Sequence, residues 1–119
     1  MAEKKVVLLV DDSRISRLMI RAVIENNSDE WDVLEAASGK EALNLVSGSE
    51  VDAITLDMNM PGENGLLIAP KLQASCPQAK IALITGNLES DVKDKAVIQG
   101  LAFIPKPITE DKIVDFLKL

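Results

Sequence analysis

Five short apolar runs recur along the chain, at residues 6–10, 31–36, 51–57, 80–85 and 101–104, and each is followed by a helix-patterned or helix-capped segment. Val6-Val7-Leu8-Leu9-Val10 is apolar at every position and rich in β-branched side chains. That is the pattern of a strand covered on both faces. Such a strand needs helices above and below it. Five βα units in succession therefore predict an α/β fold, a doubly wound five-stranded parallel sheet. The strand order expected is 2-1-3-4-5, over a single domain at residues 1–119.

The helices carry their own signals. Ser13 is placed to cap the first, and Ile15, Leu18, Met19, Ala22 and Val23 repeat at helical spacing as its expected buried face. Ser38 and Glu41 have the spacing of a capping box, opening a helix at 39–46. Met60-Pro61-Gly62-Glu63-Asn64-Gly65 is a turn-rich loop. The helix expected at 66–75 contains Pro70, which removes a backbone bond at a cost of about 3 kcal/mol, so a kink or a late start is expected there. A weakly patterned helix at 90–99 ends before Gly100, a natural left-handed stop. Thr109 is placed to cap the last helix, with Ile113, Phe116 and Leu117 as its expected buried face.

Composition narrows the chemistry. There is no His and only one Cys, which excludes His-based nucleophilic catalysis, His-ligated zinc, an internal disulfide and Cys-rich metal sites. Thirteen Lys and Arg against nineteen Asp and Glu give a net charge of −6, which argues against nucleic acid or an anionic membrane as main partner. No apolar run approaches the roughly 18 residues of a membrane span. The first run is short and charged soon after, unlike a secretory leader, so a cytoplasmic protein is expected.

In a doubly wound sheet, ligands bind beyond the carboxyl ends of the strands, at the switch point between strands 1 and 3. Strand 1 ends in Asp11-Asp12, strand 3 in Asp57, strand 4 in Thr85, and strand 5 runs into Lys106. Singly, each is unremarkable: a double Asp is commonly a solvated turn, and a lone Lys a surface charge. Together they converge on one edge. Clustered carboxylates repel, and a hard divalent cation resolves the repulsion; Mg²⁺ suits a small oxygen-only site. Lys106 adds a mobile positive charge and Thr85 a hydroxyl. The set fits a phosphoryl group, with a carboxylate as nucleophile.

Val10-Asp11-Asp12-Ser13, the stretch from Leu56-Asp57 through Met60-Pro61 to Gly65, Leu83-Ile84-Thr85-Gly86 and Phe103-Ile104-Pro105-Lys106-Pro107 resemble the motifs of response-regulator receiver domains of two-component signalling. The resemblance covers essentially the whole chain and implies the flavodoxin-like (βα)5 fold of chemotaxis regulators. It implies Asp57 as phosphoacceptor, taking a phosphoryl group from a phosphohistidine on a histidine kinase or histidine phosphotransfer protein. Asp12 would ligate Mg²⁺ directly and Asp11 through water, with Asp57 and the Asn59 backbone carbonyl completing the protein ligands. Lys106 would pair with phosphoryl oxygens and Thr85 would hydrogen-bond one of them. Pro107 would follow a cis bond that helps aim Lys106, while Pro61 and Gly65 would serve the loop after Asp57.

Phe103 reads either as a core-filling aromatic or, by resemblance, as an aromatic switch that moves when Thr85 shifts. Asn59 and Asn87, two residues beyond Asp57 and Thr85, would tune acyl-phosphate lifetime towards moderate hydrolysis. The face of helix 4, strand 5 and helix 5, with Lys93, Lys95, Gln99, Phe103 and Lys112, would meet an unidentified output protein. The chain would catalyse only its own phosphorylation and dephosphorylation. Two alternatives are a receiver module cut from a larger regulator or hybrid kinase, and a small Mg²⁺-dependent aspartyl phosphatase. The phosphatase reading suffers because the position two residues after the nucleophile, where such enzymes carry an acid, is Asn59.

Overall fold

A computed structural model describes residues 4–86 and 90–119. The elements in order are β1 (Lys5–Val10), α1 (Arg14–Asn27), β2 (Trp31–Ala36), α2 (Gly39–Val46), β3 (Ala53–Asp57), β4 (Asn59–Met60), β5 (Glu63–Asn64), α3 (Gly65–Ser75), β6 (Lys80–Thr85), α4 (Ser90–Ile98), β7 (Ala102–Pro105) and α5 (Glu110–Leu117). The main sheet has the order β2-β1-β3-β6-β7, with every pairing parallel. That is the expected 2-1-3-4-5 order, once the tiny antiparallel pair β4–β5 is set aside. Met60, Glu63 and Asn64, predicted as loop, form part of that pair.

Strand alternation sorts the core into two layers. Leu8, Val10, Ile54, Leu56, Ile81 and Leu83 point to one face, where residues of α2, α3 and α4 pack against them. Val7, Leu9, Ala53, Ala82, Ile84 and Ile104 point to the other, against Ile20 and Ile24 of α1 and Ile113 and Leu117 of α5. β1, β3 and β6 are buried on both faces, which is why their sequences read as nearly continuous apolar runs.

The buried face of α1 is not the one that periodicity selected. Ile15, Leu18 and Met19 are 71 %, 48 % and 53 % exposed, and the buried residues are Ile20 and Ile24. The helix is apolar over most of its circumference, so apolar spacing alone does not fix its rotation. Charge pairing does. Arg17 and Arg21, one turn apart on the inward side, reach Glu35 on β2: Arg17 Nε at 2.9 Å, and Arg21 Nε and Nη2 at 3.0 and 2.7 Å. Turning Ile15, Leu18 and Met19 inward would carry both guanidinium groups away from their carboxylate partner.

The two arginines hold the Glu35 carboxyl below its ordinary value, Arg21 most strongly through its hydrogen bonds, with burial opposing. A depressed carboxylate pKa contributes stability that is present above the unfolded value and lost as pH falls through the folded one. We expect Glu35→Gln to lower stability by about 2 kcal/mol at pH 7, typical for hydrogen bonds to charged groups. The gap to wild type should close as pH drops below the ordinary value of 4.5. Thermal melts of both proteins between neutral and acid pH check this; a constant gap would mean the pair is not what stabilises.

Smaller expectations also met corrections. Pro70 does not delay α3, which starts at Gly65; the proline sits on the exposed side of the helix. Thr109 occupies the N-cap position of α5 but makes no side-chain capping bond, and Phe116 is half-buried rather than buried. Ser13 does cap α1, accepting the Ser16 amide at 3.2 Å, and Ser38 caps α2 through the Glu41 amide at 3.1 Å. Glu41, however, accepts from Ala37 rather than from Ser38, so the box closes one residue early. Gly100 takes a positive φ of 78°, as a helix-ending glycine does.

Candidate functional site

The carboxyl ends of β1 and β3 bring three acids together. One carboxylate oxygen from each of Asp11, Asp12 and Asp57 lies within 4.8 Å of the others. Asp11 and Asp57 are buried, at 4 % and 3 % exposure, and Asp12 is exposed. Parallel register makes the meeting: β1 and β3 pair side by side through Val10 and Leu56, so the residues after them emerge at one edge. Burial pushes the Asp11 carboxyl above its ordinary value, and the charges of Asp57 and Asp12 push it further. The Ser13 amide, donating to Asp11 Oδ1 at 2.8 Å, and the Lys106 charge oppose this.

Lys106 arrives from beyond the end of β7. Its Nζ stands 3.2 Å from Asp57 Oδ1, and its amide donates to the Thr85 carbonyl at 2.9 Å. The Lys106–Pro107 peptide is cis. Thr85 ends β6 and is fully buried. The Asn59 amide donates weakly to Asp57 Oδ1 at 3.4 Å, and the Asn59 side chain is exposed. Five of the residues singled out in the sequence thus stand at one sheet edge: Asp11, Asp12, Asp57, Thr85 and Lys106. Asn87 lies outside the described residues.

The loop after Asp57 is shaped by two glycines and a proline. Gly62 takes a φ of 72°, completing the turn that Pro61 begins. At Gly65 a Cβ would come 2.9 Å from the Met58 Cα and 3.0 Å from the Asp57 carbonyl oxygen, so the helix starts against bare backbone. Phe103 is half-buried, packs on the α4-side layer and pairs in register with Leu83, on the sheet face that Thr85 shares two residues on.

The family model described as "Response regulator receiver domain" matches residues 7–118. The chain belongs to the response regulator receiver family. This receiver domain is 31 % identical to the chemotaxis protein CheY of Listeria monocytogenes over 94 % of both chains. It superposes on the structure of Vibrio cholerae CheY4 with a TM-score of 0.84 at 26 % identity, covering 97 % of each. A Burkholderia pseudomallei response regulator, solved with a phosphorylated aspartic acid, a calcium ion and citrate, matches with a TM-score of 0.84 at 25 % identity, over 93 % of this chain and 65 % of that one. The receiver domain spans about half or less of the first curated relatives it matches, 28 % of one and 52 % of another.

Two residues near the receiver's acids escaped the sequence reading. Arg17 donates through Nη1 to the Asp11 backbone carbonyl, and Glu35 holds the same guanidinium from the other side. An Arg four residues before another Arg on a helix, facing an isolated Glu in an apolar strand, was the available signal. Lys112, placed by the sequence on the face of helix 4, strand 5 and helix 5, donates to the carbonyls of Pro105 and Pro107, each at 2.8 Å. Two depressions, ≈ 680 and 580 Å³, lie by Lys5, Asp52 and Trp31 at the amino ends of the strands, away from the acids. Among the described residues no helix is long and apolar enough to cross a membrane.

Proposed function

We propose that this receiver domain accepts a phosphoryl group on Asp57 from a phosphohistidine of a histidine kinase or histidine phosphotransfer protein. The observation that carries this is a buried carboxylate, Asp57, held 3.2 Å from a lysine ammonium and within 4.8 Å of two further acids. An Asp57 carboxylate oxygen forms the new bond to phosphorus, and the phosphorus–nitrogen bond to the donor imidazole breaks, its electron pair leaving with the nitrogen. Lys106 stands where it can neutralise an oxygen of the transferring group. Thr85, at the neighbouring strand end, offers a hydroxyl to another.

The donor set fits Mg²⁺: all-oxygen, acidic and closely spaced. Asp11, Asp12, Asp57 and the Asn59 backbone carbonyl would hold it, with Asp11 acting through water. When bound, the ion supplies positive charge against the carboxylates and the phosphoryl oxygens. Beyond this self-modification no turnover is proposed. We assign the domain to the cytoplasm, and the surface formed by α4, β7 and α5 to an output protein. Intact-mass and peptide mass spectrometry after incubation with acetyl phosphate tests the reading. One phosphoryl group, on Asp57 and only with Mg²⁺, is expected; labelling elsewhere would overturn it.

A protein donor must cover the rim of the site to reach Asp57. The exposed Ile15, Leu18 and Met19 begin that rim, because α1 starts two residues after Asp12. Leu18→Glu should therefore slow transfer from a phosphorylated protein donor by about tenfold, the loss expected when one of the few anchoring contacts of a docking surface is removed. Its labelling by acetyl phosphate should stay at the wild-type rate. Equal slowing with both donors would place the defect in the site rather than in docking.

A further inference from the structure

The loop between Asp57 and α3 is tied to a helix that contributes no acid to the site. β4 and β5 are two residues each, setting Asn59 opposite Asn64 and Met60 opposite Glu63. So short a pair is marginal alone and needs outside anchors. Buried Met60 is one, and the Gly65 amide donating to the Met58 carbonyl at 2.8 Å is another. The third is Glu63. Its two carboxylate oxygens accept the Gly39 amide at 2.9 and 3.1 Å, across 24 residues of sequence.

Gly39 is the first residue of α2, whose N-terminal amides need partners. Ser38 supplies one locally and Glu63 supplies another from the loop. A carboxylate is favoured there by both the hydrogen bond and the helix dipole. Glycine leaves room for the approach: a Cβ at Gly39 would sit 2.7 Å from Glu63 Oε2 and 2.6 Å from Ile68 Cδ1, so both side-chain ends would have to shift.

We propose that Glu63 is a positioning residue for the cation site. By gripping the N-terminus of α2, its carboxylate holds the strand opposite Asn59, and so fixes the Asn59 backbone carbonyl. The inference rests on the reading above, in which that carbonyl is a Mg²⁺ ligand. Coupling of this kind is reciprocal: whatever the clamp adds to Mg²⁺ affinity, Mg²⁺ returns to the clamp.

Two measurements on the whole chain test it: calorimetric titration with Mg²⁺ of wild type, Glu63→Ala and Glu63→Gln, and hydrogen exchange of the Gly39 amide in wild type with and without Mg²⁺. Glu63→Ala should bind Mg²⁺ about tenfold more weakly, the low end for groups behind metal ligands. Glu63→Gln should recover most of that, since its carbonyl still accepts from Gly39. The wild-type Gly39 amide should exchange up to about tenfold more slowly when Mg²⁺ saturates, the reciprocal of the same coupling. Unaltered affinity in a folded Glu63→Ala protein overturns the proposal. So does Gly39 exchange indifferent to Mg²⁺, a test that needs no variant. A wild-type protein that does not bind Mg²⁺ overturns the metal reading itself, which separates that failure from failure of the clamp alone.

Discussion

Asp57→Asn is expected to abolish phosphorylation while leaving the fold intact. The amide has the size of the carboxylate and can keep a hydrogen-bonding contact with Lys106, but it has no anionic oxygen to attack phosphorus. It also removes one of three clustered negative charges, which relieves their mutual repulsion. The measurement is intact mass after incubation with acetyl phosphate and Mg²⁺, with circular dichroism as the control for folding. Labelling of the folded variant at the wild-type level would move the acceptor to Asp11 or Asp12.

The second large effect concerns how the modified site reaches the rest of the molecule. A phosphoryl group on Asp57 brings dianionic charge beside Lys106, 3.2 Å from the carboxylate, and Thr85 on the neighbouring strand. Lys106 already contacts the carboxylate, so the expected movement is that of Thr85, which would join it on the group as the end of β6 draws towards the site. Phe103 shares the Thr85 side of the sheet and lies against the layer packed by α4, so a shift of Thr85 changes the space beside the ring. Lys106→Ala should slow acetyl-phosphate labelling by about 10²-fold, the usual effect of deleting one preorganised donor of charge. It should also weaken the shift, because a ligand moves an equilibrium only by its difference in interaction between the two states. Thr85→Ala should act likewise on the shift. Backbone NMR of wild type and Lys106→Ala, each with and without a phosphoryl mimic on Asp57, reads this out. If both showed the same full set of changes around Phe103 and α4, Lys106 would not couple the site to that face.

Strand placement was legible because β1, β3 and β6 are buried on both sides, and a doubly buried strand reads as a nearly continuous apolar run. The acids were legible for a related reason. A charge directly after such a run has nowhere to go but the strand end, so Asp11, Asp12 and Asp57 announce the edge where they meet. Glycine did the same for backbone: Gly100, read as a helix-ending residue, takes a positive φ. These signals are local and survive in one dimension.

What tertiary structure alone decided is where a local pattern allowed two answers or where the partner lies far along the chain. The rotation of α1 is the clearest case. Its apolar residues circle the helix, and the choice between Ile15-Leu18-Met19 and Ile20-Ile24 falls to Arg17 and Arg21, which must reach Glu35 on another strand. Glu63 is the same kind of case: in sequence it is one residue of a turn, and only the packing of the loop beside α2 gives its carboxylate the Gly39 amide. Apolar periodicity records which residues leave water. It does not record which charges find each other, because that depends on strand order and register, and these exist only once the sheet has formed.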